Sequence, residues 1–311
     1  MKARRLLLGL SLATLVGVPG LQAQSNIAHG KRMRPREPPP AAGDVHFGRD
    51  LHVLATAPAI RAPQRRAQVS TSGSSIAAIE QGALVIDSET SVLSLLDEET
   101  RKLDSLTIGQ VAGLLAVDQS KKLVYVADRN GDRVAIVSYD TKLRVVDHLP
   151  TRTEPYGLAL SPDGKTLLVT TVAGRSLQAF DLATKSERWQ LELGPEPRAV
   201  AVADDGTEAV VSFLGTGAVA KVNLRKVKPS LRFEALSSAP PPSSNAGVPE
   251  RFARNAFAAI FIGDTAVVAY QQSTPQMATQ RGLQSRGTYG GSAEGNPPLL
   301  HRLAFLPRSW N

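Results

Sequence analysis

The segment DRNGDR, Asp128 to Arg133, sets Asp128, Asn130 and Asp132 at alternating positions, the spacing of oxygen ligands in a calcium loop. A complete loop of that kind has glycine sixth and glutamate twelfth. Those positions hold Arg133 and Tyr139, so the segment reads instead as a hairpin turn built on Asn130-Gly131. His46, His52, His148 and His301 include no pair at four-residue helical spacing, and the chain has no cysteine to complete a zinc site. Ser161 and Ser212 stand outside any Gly-x-Ser-x-Gly elbow, which removes local support for nucleophilic serine chemistry. The glycine-rich GTYGGSAEG, Gly287 to Gly295, lacks the Lys-Ser/Thr that a phosphate cradle requires. The sequence therefore assigns no catalytic residue, no metal and no cofactor. Its polar candidates are Arg129, Asp132, Arg152, Glu154, Tyr156, Arg175, Glu196, Arg198 and Asn255, and their value depends on whether the fold gathers them.

Bulk chemistry narrows the setting. Without cysteine there are no disulfides, thiolate metal sites, cysteine-ligated clusters or covalently attached haem. Met1 to Arg5 carry Lys2, Arg4 and Arg5, a short apolar run LLLGLSLATLVGVPG follows, and Ala23 offers a small residue for cleavage. Those are the parts of a secretory signal peptide, residues 1–23. The apolar run is about 15 residues, short of the ~20 that span a bilayer, so no transmembrane segment is expected after cleavage. Export to the periplasm, the cell surface or the medium is the expected destination. The formal charge of +8 is concentrated in the signal and in residues 31–66, which leaves 67–311 near neutral. A basic groove for phosphates, and hence a nucleic-acid partner, is not expected. Residues 24–44 form a Pro- and Arg-rich linker of the kind that stays unfolded.

From about Ser75 the chain alternates short apolar runs with Gly, Asp, Asn and Ser turns, the pattern of an all-β fold. EPYGLALSPDGKTLLVTT, from Glu154, aligns with EPRAVAVADDGTEAVVSF, from Glu196, at a shift of 42 residues. Asp97, Asp140, Asp181 and Asn223 each close an apolar run at spacings of 43, 41 and 42. A period near 42 that holds four short strands is a propeller blade. In one copy the strands a to d are expected at Tyr156–Leu160, Leu167–Thr171, Ser176–Phe180 and Glu187–Leu193. Further copies fall at about Ser75–Ile108, Ala112–Leu149 and Arg198–Ala235.

A fifth, irregular unit has two strands from AFAAIFIG and TAVVAYQQ and a third from LLHRLAFLP, with insertions at 236–255 and 271–298. It has no fourth strand. An apolar stretch near Leu51–Ala55 stands where a fourth strand would precede the first blade, so it is a candidate to close the ring. The alternative is a portion of a larger propeller. On either reading the expected fold class is an all-β β-propeller of four-stranded antiparallel blades over 45–311, about five of them.

The motifs PYGLALSPDGKTLLVTT and VYVAD, with the Asp-led turns, resemble the YVTN-type β-propeller repeat family of exported bacterial and archaeal proteins. The resemblance covers roughly 76–235, with a weaker tail to 306. The irregular fifth unit is also similar to the propeller portion of exported proteins that carry a haem peroxidase-like domain. No CxxCH is present, so that redox chemistry does not carry over. In a propeller the d–a and b–c connections emerge at one mouth of the channel. Arg152, Glu154, Tyr156, Glu196, Arg198 and Asn255 belong to d–a connections, and Arg129, Asp132 and Arg175 to b–c turns. The expected function is a non-catalytic exported scaffold that binds a protein or cell-surface partner through these loops. The alternatives are the propeller portion of a periplasmic redox protein, with a redox partner, or a lactonase-like enzyme using carboxylates in the mouth.

Overall fold

The chain divides into two compact units, Met1–Pro58 and Ala59–Asn311. The computed structural model describes residues 69–238, 251–273 and 299–308, all in the second unit. The signal segment, the linker, the apolar stretch near Leu51–Ala55 and most of both insertions lie outside the described residues.

Five antiparallel sheets follow one another, and no helix occurs among the described residues. The first holds β1 (Ile76–Ile79), β2 (Gly82–Asp87), β3 (Val92–Leu96) and β4 (Lys102–Thr107). The second holds β5 (Ala112–Asp118), β6 (Leu123–Asp128), β7 (Arg133–Ser138) and β8 (Arg144–Pro150). The third is β9 (Pro155–Leu160), β10 (Thr166–Thr171), β11 (Ser176–Asp181) and β12 (Ser186–Glu192), within a residue or so of the expected strands. The fourth is β13 (Pro197–Val202), β14 (Glu208–Phe213), β15 (Ala218–Asn223) and β16 (Ser230–Ala235). Among the described residues the fifth has three strands, β17 (Phe252–Ile262), β18 (Thr265–Ser273) and β19 (Leu299–Pro307). Within each sheet, strands consecutive in the chain are neighbours, so each is a simple meander. This is a β-propeller of about five blades.

The repeat seen in the sequence is a repeat of place. Pro155 and Pro197 each begin an innermost strand, opposite Thr171 and Phe213. Gly164 and Gly206 take φ of 65° and 73° in equivalent a–b turns, where a side chain would be strained. Asp181 and Asn223 accept backbone N–H groups from Ala183 and Arg225, and Asp97 accepts that of Arg101. Asp140 is a correction. Ser138 pairs with Leu123 as Asp181 pairs with Thr166, so the equivalent residue of the second blade is Ser138, and Asp140 stands two residues further on.

Packing follows the strand period of two. In the second to fourth sheets one face meets the preceding blade and the other the next. Leu84, Leu93, Leu115 and Val124 fill the first interface, and Val210, Val219, Ala256 and Val268 the last. Ala116, Ala159 and Ala201 are fully buried on innermost strands, where blades crowd together.

Residues 69–75 have no counterpart in the repeat. They run antiparallel to the innermost strands and fill the axis. Ser70 N–H donates to Val117 O at 2.8 Å, and Ser74 and Leu115 exchange bonds of 3.1 and 2.9 Å. Leu160 N–H donates to Ser70 O and Val202 N–H to Thr71 O, both at 2.8 Å. Ser72 Oγ reaches Ala259 O at 2.7 Å. One short segment thus touches blades two to five.

The fifth blade leaves a face uncovered among the described residues. Cross-strand register puts Phe252, Ile260, Leu299, Leu303 and Phe305 on the face turned away from the fourth blade, and all are exposed.

Candidate functional site

The mouth is built where strands end and glycine allows close approach. A Cβ at Gly113 would press on the Tyr156 backbone, and one at Gly157 would collide with Arg198 O. These glycines let each innermost strand sit hard against the next. Thr170, fully buried, seals the second of these contacts: its Oγ1 accepts Gly157 N–H at 2.9 Å and donates to Arg198 O at 2.6 Å. The b–c turns supply the other half. Asp128 holds Gly131 N–H at 3.2 Å and Arg133 Nε at 2.9 Å. That is the Asn-Gly hairpin expected, with the Asp128 carboxylate committed to the turn.

Five of the nine candidates come together. The Tyr156 ring lies beneath the Arg129 guanidinium at 5.4 Å and that of Arg198 at 4.9 Å. Cations over an aromatic face are attracted by the ring quadrupole. Arg129 is also ion-paired to Glu154, while its buried Nε has no hydrogen-bond partner. Asp132 Oδ1 accepts Glu154 N–H at 2.9 Å, tying a b–c turn to the neighbouring d–a connection. Glu154, Glu196 and Asn255 take φ of 64°, 53° and 51°, left-handed values that turn the chain at the mouth.

The other four are dispersed. Arg152 N–H donates to Gln178 Oε1 at 2.8 Å, and Arg175 follows Gly174, which packs on the Arg152 side chain. The Glu196 carboxylate lies by Gly215. Asn255 lies inside β17 at a bulge, where a loop was expected, and donates to Gln271 Oε1 at 2.8 Å. Gln178 and Thr170 escaped the sequence reading. Both sit mid-strand at positions that the alternation marks only as inward-facing. The glycine after Tyr156 was the available signal for close strand approach.

The sheets define a class: a β-propeller, with an arginine–tyrosine cluster at one end of its blades. No family model matches the sequence, and no curated protein matches it. Solved structures do resemble the fold. The chain is similar to hydrazine synthase of Kuenenia stuttgartiensis, with a TM-score of 0.56 and 14% identity, over 75% of this chain. It spans only 62% of that protein's length. Looser likenesses are to a protein of Lactobacillus plantarum (TM-score 0.47, 16% identity, 64% of this chain and 67% of that one). Another is to a putative 6-phosphogluconolactonase of Bacteroides fragilis (0.44, 16%, 64% and 66%). At these identities the likeness is one of fold.

Proposed function

We propose that the chain is an exported, non-catalytic propeller of the YVTN-repeat kind that binds a protein or cell-surface partner at its mouth. The observation that carries this reading is Tyr156 held under Arg129 and Arg198. An aromatic ring with guanidiniums over it offers rigid apolar area and several donors at little entropic cost, the chemistry enriched in binding hot spots. The ion pair from Glu154 to Arg129 supports binding over the lactonase-like alternative, because it engages a carboxylate that the alternative needs turned toward a substrate.

The test is capture. The full chain, immobilised, is exposed to periplasmic and surface extracts of its own source. Tyr156→Ala and Arg198→Ala are expected to lose the partner that the unaltered chain retains, with melting temperature nearly unchanged. Equal capture by all three proteins refutes the mouth as the site.

A further inference from the structure

A cleft of about 450 Å³ opens between the second and third blades, at the end of the propeller opposite the mouth. We propose that it binds a small amphiphilic anion, a carboxylate carried on an apolar chain. Its floor is apolar: Tyr125 and Ile136 are cross-strand neighbours, and Leu123 and Leu182 flank them. Val146 closes one side and is 47% exposed. It is the extra residue of a bulge, since Ile136 pairs with Asp147 and Val137 with Val145. Bulges re-aim a side chain in this way. The volume lies in the range of about 300–1,000 Å³ typical of small-molecule sites.

The rim selects charge. Three ammonium groups, Lys121, Lys165 and Lys185, face two carboxylates, Asp147 and Asp181. Lys121 is committed to Asp118 at 2.9 Å and Gly164 O at 2.8 Å. Asp181 is committed to the N–H groups of Ala183 and Thr184. Lys185 pairs with Asp147 on the open surface, where an incoming anion competes readily. Lys165 makes no ion pair within 4 Å among the described residues, and its charge is felt only at longer range by Asp163 on the same turn.

The corresponding cleft between the third and fourth blades is an internal comparison. There Leu168, Trp189 and Val202 meet a rim of Asp163, Asp204, Asp205 and Arg188. The same architecture carries an acidic rim in one place and a lysine rim in the other, so the fold alone does not dictate the charge.

The experiment is calorimetric titration of the full chain with decanoate, and separately with decyltrimethylammonium as the cation of equal chain length. Decanoate is expected to bind and the cation not to. Val146→Glu, at an exposed position, should weaken decanoate about tenfold or more by charge repulsion, and Lys165→Ala should weaken it severalfold. Leu303→Glu, on the uncovered face of the fifth blade, should leave binding unchanged. Equal affinity in Val146→Glu and the unaltered chain, loss of binding in Leu303→Glu, or no heat with decanoate would each overturn the proposal.

Discussion

Replacing Gly73 by alanine tests whether the axial segment holds the propeller together. A Cβ at Gly73 would lie 2.5 Å from Leu158 O and 3.2 Å from both Leu115 O and Leu158 N. All three are backbone atoms of innermost strands, which cannot rotate away. The segment must shift, and it shares seven hydrogen bonds with blades two to five: five between backbones, one from Ser72 Oγ, and one from Val117 N–H to Ser70 Oγ. At about 1 kcal/mol net for each bond, full displacement removes ~5–7 kcal/mol. Local accommodation of an overpacked methyl costs ~1–3 kcal/mol. The expected loss is therefore at least ~1 kcal/mol and up to ~7 kcal/mol if the segment is displaced, set against the ~5–15 kcal/mol total of a typical domain.

Urea denaturation of the full chain gives the energy, and amide exchange gives the location. Leu115, Leu160 and Val202 should lose protection first, because their acceptors lie on the axial segment. Gly263→Ala is the control: it has the left-handed φ of 55° but nothing within 4 Å. It should cost only the backbone term, about 1 kcal/mol. If Gly73→Ala matches the unaltered chain within ~0.5 kcal/mol and the three amides stay protected, the axial segment is a passenger.

Other expectations concern charge and burial. Lys221, buried, is held by Glu234 Oε2 and Pro307 O, both at 2.8 Å. Glu234→Ala, which strands the ammonium, should cost ~2–4 kcal/mol in denaturant, more than Lys221→Met, which removes it. Burial pushes the Asp205 carboxyl up, but Thr207 and Arg308 outweigh it and hold the pKa at about 2. A depressed folded pKa gives stability that is present above pH 4 and lost as the pH falls toward 2, so acid melting curves should drop across that window, less steeply in Asp205→Asn. Burial pushes Tyr125 and Tyr139 up to about 12. Their contribution is whole below pH 10 and lost between 10 and 12, where ultraviolet titration should show late-ionising phenols together with loss of structure.

Blade number and strand bounds were legible because apolar runs and turn residues are both local signals. The Pro-Asp-Gly turn at Pro162 fixes where β9 ends, whatever the rest of the chain does. The axial segment was not legible. Its sequence STSGSS, from Ser70, is small and polar because the axis is narrow and the bonds are made by backbone, so it reads as loop. Asp140 misled because the c–d turn of the second blade, from Ser138 to Arg144, is one residue longer than that from Asp181 to Ser186, and a period that wanders by a residue hides such a slip. At the mouth, topology placed Arg129, Tyr156 and Arg198 at one end of the sheets. Only coordinates show that one ring serves both guanidiniums, since that depends on rotamers across two blade interfaces.

One short piece of chain bonded to four successive blades acts as a hub. A displacement of its backbone reaches the second blade and the fifth directly, without passing through the sheets between them.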